Sequence, residues 1–170
     1  MRIRRAEPGD AQRLVALAEQ VGAEPGDFLL TTDTWRAVGD ERRYLRAVQH
    51  HPDAAVYVAE VAGEVVGRLS LSRDVHAASQ HVADLGLMVA APYRRQGIGW
   101  ALLEQAVDWA RGAGVRKLEL HVFPWNEPAL RLYDTFGFVR EGIRAGHYAR
   151  GTEDVDAILM AFHIRPPGPR

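Results

Sequence analysis

The stretch richest in chemistry is Arg94-Arg95-Gln96-Gly97-Ile98-Gly99, set between an apolar run that ends at Val89 and an amphipathic run that begins at Trp100. The order reads as strand, tight basic loop, helix, with Pro92 stopping the strand. The first turn of a helix leaves about four backbone N–H groups without partners, and the aligned peptide dipoles put roughly half a positive charge there. Glycines at 97 and 99 remove side chains that would hold a ligand off that backbone, and the two arginines add permanent charge. Together these features make a site for a phosphate or pyrophosphate. Taken alone, a Gly-x-Gly at a helix start also fits an ordinary turn with solvated arginines. Two other phosphate-binding patterns fit poorly. No Gly-Lys-Ser/Thr is present, Lys117 being the only lysine, and Leu102 stands where the dinucleotide fingerprint needs a third glycine.

Composition bounds the chemistry. A chain of 170 residues suits one domain with a real core, and 47% hydrophobic with 25% charged residues is a soluble globular composition. A net charge of −1 argues against a general nucleic-acid binder. Without cysteine there is no disulfide, thiolate metal site or cysteine nucleophile. No apolar run approaches the ~20 residues that cross a membrane, and Met1-Arg2-Ile3-Arg4-Arg5 lacks the apolar core of a secretory signal. The expectation is a cytoplasmic protein with no membrane and no nucleic-acid partner. The serines sit in no nucleophile-elbow pattern. His50, His51, His76, His147 and His163 have no spacing that specifies a metal, so they read as surface or structural residues, and no metal is expected.

The elements that must position the loop follow from periodicity. Residues 1–6 suggest a short strand. Asp10 resembles an N-cap before a helix carrying Leu14, Leu17 and Val21, which Gly22 and Pro25-Gly26 end. Phe28-Leu29-Leu30-Thr31-Thr32 reads as a core plug or as a pocket lining. Residues 34–49 suggest one or two helices broken near Gly39, with Trp35, Val38, Tyr44, Leu45 and Val48 inward and Arg42, Arg43 and Arg46 on a solvated face. Residues 54–62, 65–75 and 81–89 form an antiparallel meander, its first turn at Gly63-Glu64 and a bulge or close backbone approach at Gly86. After the basic loop, Leu102, Leu103, Ala106, Val107 and Ala110 share a helix face up to Gly112-Ala113-Gly114. Residues 115–123 form a strand with Glu119 and His121 on one face. A strand–helix–strand unit of this length makes 81–89 and 115–123 a parallel pair. Pro128 opens the next helix, Ala129, Leu132, Tyr133 and Phe136 recur along it, and Gly137 stops it. Residues 138–144 and 155–164 close the sheet, and 165–170 read as a disordered tail.

Arg94-x-x-Gly97-x-Gly99 after a strand resembles the acetyl-CoA loop of the GCN5-related N-acetyltransferases (GNAT). Asn126-x-x-Ala129-x-x-Leu132-Tyr133-x-x-x-Gly137-Phe138 is similar to the second motif of that family, in the right order and at a suitable distance. The two motifs cover about residues 81–145. The ending, Arg140-Glu141-Gly142 through 155–161, resembles amino-acid-type and phosphinothricin-type members. The resemblance implies a mixed α/β (α+β) fold: a central sheet of about seven strands with a splayed parallel pair, flanked by about four helices, in one domain over 1–164.

The resemblance also implies roles. Acetyl-CoA would be the cosubstrate. Its pantetheine would lie in the V-shaped cleft against the backbone of Leu87 and Val89, and its pyrophosphate on the N–H groups of Gln96, Gly97, Ile98, Gly99 and Trp100, with Arg94 and Arg95 beside it. Asn126 and Ala129 would flank the pantetheine amide. Tyr133 matches the tyrosine that protonates the departing thiolate in many members. The base stays open between Asp84, which lies one residue from the glutamate position of some members, and His121, whose reference pKa of ~6.5 suits taking a proton near neutrality. A bulge at Gly86 would turn Asp84 toward the cleft. Glu119 shares the face of His121 and would orient or charge it.

The expected reaction is acetyl transfer to a primary amine of a small molecule, an amino acid or related amine. One rival is a protein N-terminal acetyltransferase of the ribosomal-protein type; another is an acyl-CoA-binding module without turnover. Dimers are common among relatives, so a homodimer is compatible with the resemblance.

Overall fold

The structure, a computed structural model, describes residues 1–30 and 35–164. The strands are β1 (Arg2–Arg5), β2 (Ala54–Val61), β3 (Glu64–Arg73), β4 (Val82–Val89), β5 (Lys117–Val122), β6 (Val139–Arg150) and β7 (Glu153–His163). The helices are α1 (Ala11–Gly22), α2 (Val38–Val48), α3 (Ile98–Ala113) and α4 (Glu127–Phe136). The strands join in one sheet ordered β1-β2-β3-β4-β5-β7-β6. Every neighbouring pair is antiparallel except β4 and β5, which run parallel as α3 crosses between them. The mixed seven-stranded sheet and four helices of the described residues match the arrangement that the sequence resemblance implies.

Alternation along the strands divides the core in two. Ala83 and Leu85 of β4 and Leu118, Leu120 and Val122 of β5 pack with Leu102, Leu103, Ala106 and Tyr133 on the face that α3 and α4 cover. Met88 of β4 packs with Val56, Val58, Leu14, Leu17 and Leu45 on the face under α1 and α2. Glu41 of α2 is fully buried there, 3.4 Å from the Arg68 guanidinium of β3 and 3.3 Å from that of Arg36.

The parallel pair is joined only at its start: Val82 faces Lys117, Ala83 faces Leu118 and Asp84 faces Glu119. Beyond that point the strands splay, and the cleft opens between residues 85–89 and 120–123. The Ala90 N–H donates to the Val66 carbonyl. By the antiparallel alternation, the backbone groups of Gly86 and Met88 also point toward β3, and those of Leu87 and Val89 point into the cleft.

Several local expectations are corrected. Asp10 precedes α1 without capping it; its carboxylate accepts the Glu7 N–H at 2.8 Å and the Arg4 guanidinium at 2.7 and 2.9 Å. The β2–β3 turn is Ala62-Gly63, with φ of 51° and 84°, and Glu64 already belongs to β3. Two adjacent positive φ values match the twist of a tight hairpin. No register shift occurs at Gly86; the irregularity of the meander lies at Ala59/Glu60. Gly86 answers instead to crowding, since a Cβ there would stand 2.8 Å from Ser70 Oγ. Gly39 does not break α2 but sits in its first turn. The helix of the basic loop starts at Ile98, two residues earlier than its apolar pattern indicates. β6 continues to Arg150, six residues past its expected end. The expected roles of Thr31, Thr32 and Thr34, and the tail 165–170, lie outside the described residues.

Candidate active site

At the wide end of the cleft the chain turns into α3 through a strained loop. Arg95 has φ of 60°, and Gly97, the residue before α3, has φ of 82°, the left-handed region that glycine tolerates best. This path turns successive amides outward. The N–H groups from Arg95 to Trp100 have no hydrogen-bond partner among the described residues, which leaves six donors beside a helix N-terminus. A Cβ on Gly97 would meet nothing within 4 Å, so ligand can approach there. Gly99 is different: a Cβ would stand 2.8 Å from Leu132 Cδ2, so it serves the contact of α3 with α4. The two arginines also differ. Arg94 is held by both oxygens of Glu24, at 2.7 and 2.9 Å, and donates to the Val89 carbonyl at 2.8 Å. Arg95 is exposed and has no ion-pair partner among the described residues.

A cavity of about 260 Å³ runs from this loop into the cleft, between Leu87, Val89, Ala129 and Leu132, with Phe28 and Leu29 from the α1–α2 connection closing one side. Arg94, Arg95, Gly97, Gly99, Trp100, Asn126 and Tyr133 also line it. Gln96 and Ile98 do not: the Gln96 amide donates to the Pro92 carbonyl at 2.9 Å, and Ile98 is buried in the core. Both can offer a ligand only their backbone N–H. The Asn126 side-chain oxygen accepts the Ala129 N–H at 3.3 Å and caps α4, leaving its NH2 group without a partner among the described residues. Tyr133 is buried on α4, and burial raises its hydroxyl above the ordinary phenol value. It holds its proton at neutral pH and gives it up only to a strongly basic partner.

The narrow end is polar. Asp84, Glu119 and His121 share the sheet face that α1 and α2 leave uncovered beyond β4, and normal alternation puts them there without a bulge. Asp84 keeps solvent contact, yet partial burial, then the like charge of Glu119 opposite, raise its carboxyl above the usual range. Glu119 is engaged by Lys117 at 3.2 Å. It forms no hydrogen bond to His121; that partner is Tyr148 of β6, whose hydroxyl lies 2.8 Å from His121 Nδ1. Burial, then the positive charge of Arg144, hold the His121 imidazole below its ordinary value, with Glu119 opposing. His147, read from sequence as a surface residue, is exposed but brings its ring to 5.8 Å from His121. Tyr148, Arg144 and His147 have no sequence signal that marks them, because β6 reaches β5 only through the strand between them.

Residues 25–30 form a roof tied to β6 and to the turn between β5 and α4. Arg150 donates from Nε to Asp27 at 2.8 Å and also bonds the Leu29 carbonyl, and the Trp125 indole donates to the Gly26 carbonyl at 3.2 Å. Arg150 lies 4.7 Å over the Phe123 ring, which stacks on Trp125 at 4.5 Å.

The model of the acetyltransferase (GNAT) family matches residues 11–138. The chain belongs to that family. The L-amino acid N-acetyltransferase AaaT of Escherichia coli is 29% identical over 163 residues, which are 94% of this chain and 95% of that one. A solved GNAT-family acetyltransferase from Streptococcus pneumoniae superposes with a TM-score of 0.86 at 30% identity, covering 96% of this chain and 99% of that one. The structure of yncA, a putative acetyltransferase from Salmonella typhimurium with its cofactor acetyl-CoA, superposes at 0.85 and 19% identity over 100% and 97% of the two chains. This GNAT chain is an acetyl-CoA-dependent N-acetyltransferase. Its loop fits the cosubstrate: unpaired amides and Arg95 for the pyrophosphate, apolar walls for the pantetheine. Among the described residues no group of three His, Asp or Glu side chains is placed to hold a metal ion, and no helix is long and apolar enough to cross a membrane.

Proposed function

We propose that this GNAT enzyme acetylates the amine of a small molecule, an amino acid or a related amine, by direct attack. The observation that carries the reading is the pairing of two ends. Six unpartnered N–H groups stand at the wide end of one cleft, and a cluster of proton acceptors stands at its narrow end. Acetyl-CoA, when bound, supplies the thioester. The N–H groups of Arg95 to Trp100 and the Arg95 guanidinium hold its pyrophosphate. Leu87 offers its backbone N–H and carbonyl, Val89 its N–H and Asn126 its NH2 to the pantetheine amides. Leu29, Ala129 and Leu132 exclude water from the thioester.

The acceptor arrives as an ammonium, since an α-amino group titrates near ~8. The carboxylates of Asp84 and Glu119 attract it to the narrow end, and Asp84 or His121 takes the proton. His121 is neutral at pH 7 and free to accept. Tyr133 donates its proton to the departing sulfur and is restored by the second proton that the attacking nitrogen loses as the amide forms. The roof over residues 25–30, tied by Arg150 and Trp125, favours a small acceptor over a peptide, which needs an open groove. The full-length similarity to an L-amino acid acetyltransferase supports the same choice. The protein N-terminal reading is not favoured, nor is a binding module without turnover. The deciding experiment is a CoA-release screen with acetyl-CoA against amino acids, polyamines, aminoglycosides and N-terminal peptides. Turnover confined to peptides overturns the small-molecule reading, and no turnover with any amine overturns the reaction.

A further inference from the structure

We propose that Tyr148, hydrogen-bonded to Nδ1 of His121, relays the acceptor's proton to that imidazole. The inference rests on the reading of His121 as the base. The two ring nitrogens of His121 are in unlike surroundings. Nε2 is buried and has no hydrogen-bond partner among the described residues, so neither an amine nor water meets it. Nδ1 is covered by the Tyr148 hydroxyl at 2.8 Å. A proton coming from the cleft therefore enters at Nδ1, through that hydroxyl.

The relay requires one tautomer of the neutral ring. For Nδ1 to accept, the neutral ring holds its proton on Nε2, and the Tyr148 O–H donates to Nδ1. As an N–H bond of the acceptor ammonium breaks, its proton goes to Tyr148 Oη and the Tyr148 proton goes to Nδ1. The products are a neutral amine, an intact phenol and an imidazolium whose Nδ1–H donates back to Tyr148. The amine lone pair is then free for the thioester carbon. After product leaves, the imidazolium returns its proton to solvent by the same route. Nothing is oxidised or reduced, and the buried Nε2 side does not change.

The backbone places Tyr148 with a device. Between the cross-strand pairs Arg144–Ala157 and Tyr148–Val155, β6 carries residues 145–147 where β7 carries only Asp156. Gly146, at φ of 54°, donates its N–H to the Asp156 carboxylate at 2.8 Å and closes this bulge. Bulges beside active sites re-aim side chains. The Tyr148 ring then meets Phe123 edge-on at 5.6 Å and His147 at 4.9 Å. The charged and titratable groups around His121 are Glu119 on β5, Asp84 on β4, and Arg144, His147 and Tyr148 on β6. Burial, opposed by Arg144 and Arg150 and aided by Asp84, raises the Tyr148 hydroxyl, so it stays protonated and ready to donate.

The test compares Tyr148→Phe, His121→Ala and the double variant by the pH dependence of kcat/KM, with acetyl-CoA affinity measured by calorimetry. Each single variant loses ~10²-fold in kcat/KM together with the acidic limb, the double variant loses no more than either, and affinity is unchanged. If His121→Ala loses rate and limb while Tyr148→Phe keeps both, the relay is wrong and His121 still stands. If His121→Ala keeps both, the base assignment fails and takes the relay with it. The wild-type protein gives a second measurement that needs no variant. Nitrogen-15 NMR of neutral His121 shows a protonated Nε2 and a bare Nδ1; the opposite tautomer overturns the relay.

Discussion

At its wide end the cleft is built from backbone. One continuous stretch, Leu87 to Trp100, supplies a strand edge, a left-handed turn and a helix start, and the functional groups are amides that any sequence carries. At its narrow end the cleft is built from side chains of four separate segments: Asp84 on β4, His121 on β5, Tyr148 and Arg150 on β6, and Asp27 before α2. The Arg150–Asp27 contact closes across 123 residues of sequence. The contrast fits the proposed chemistry, in which acetyl-CoA lies at the wide end and the amine at the narrow one. The cosubstrate end needs fixed, permanent dipoles for an anion that is always the same. The acceptor end needs groups whose protonation and spacing match one amine, and side chains can be exchanged without disturbing the sheet.

If the wide end works through backbone, blocking it gives the largest effect. Gly97→Asp places a carboxylate against the pyrophosphate. Losing one charge-assisted contact costs about 1.5–3 kcal/mol, and repulsion adds to it, so acetyl-CoA affinity falls by more than ~10²-fold in calorimetry. Asp is among the few residues that visit positive φ, so the variant remains folded. By contrast, Arg94→Gln breaks the Glu24 brace and removes one cation, a smaller loss. Equal affinity in Gly97→Asp and wild type would mean the anion sits elsewhere.

Tyr133 lines the cavity that runs from the basic loop. Tyr133→Phe keeps the ring and removes the proton, so kcat falls ~10²-fold with little change in acetyl-CoA affinity. A structural role predicts the reverse: a lower melting temperature with near-normal turnover.

The unequal legibility of the two ends has the same origin. Gly97 and Asn126 are needed at fixed offsets within a turn and a helix cap, and such local geometry leaves a mark in sequence. Asn126 both caps α4 and offers its NH2 group to the cavity, two demands on one position. Tyr148 has no such mark, because its distance from His121 is set by a bulge in β6 and by the order in which β5, β7 and β6 assemble. Glu41 hides for a similar reason. It lies among charged residues of α2 that read as a solvated face, yet it is buried against Arg68 from a distant strand. Gly86 shows a subtler limit: the sequence allowed a bulge or a close approach, and only the Ser70 side chain decides between them.

Loosening the roof at Arg150 acts mainly on the narrow end, since neither Arg150 nor Asp27 lines the cavity beside the basic loop. Arg150→Ala frees Asp27 and the Leu29 carbonyl and uncovers Phe123, so the KM for the amine rises several-fold while acetyl-CoA affinity holds. Arg150→Lys recovers the charge but not the paired contacts, and restores KM only in part. An unchanged amine KM in Arg150→Ala would place the acceptor outside the roof.

The smallest expected effect isolates the electrostatics of the narrow end from its chemistry. Partial burial, then Glu119, raise the Asp84 carboxyl in the folded chain above its unfolded value near 3.8. The folded state therefore binds the Asp84 proton more tightly than the unfolded chain does. Stability from that proton is complete below the unfolded pKa and is lost as pH rises through the folded pKa, so at pH 7 the charged carboxylate works against folding. Asp84→Asn resembles the protonated side chain at every pH. It raises the melting temperature at pH 7, and the gain shrinks as pH falls toward 4, where wild type takes up its own proton. Solvent contact screens the charge, so the rise stays below about 3 °C, the shift that ~1 kcal/mol gives a domain of this size. The same variant separates the two proton acceptors. If Asp84 is the base, kcat/KM collapses while the protein becomes more stable; if His121 is the base, stability rises, the acidic limb remains, and the loss of attraction for the ammonium shows only as a higher amine KM. A melting temperature that falls at pH 7 would instead give Asp84 a stabilising partner, and the carboxylate pair at the start of the cleft would not be a site of stored repulsion.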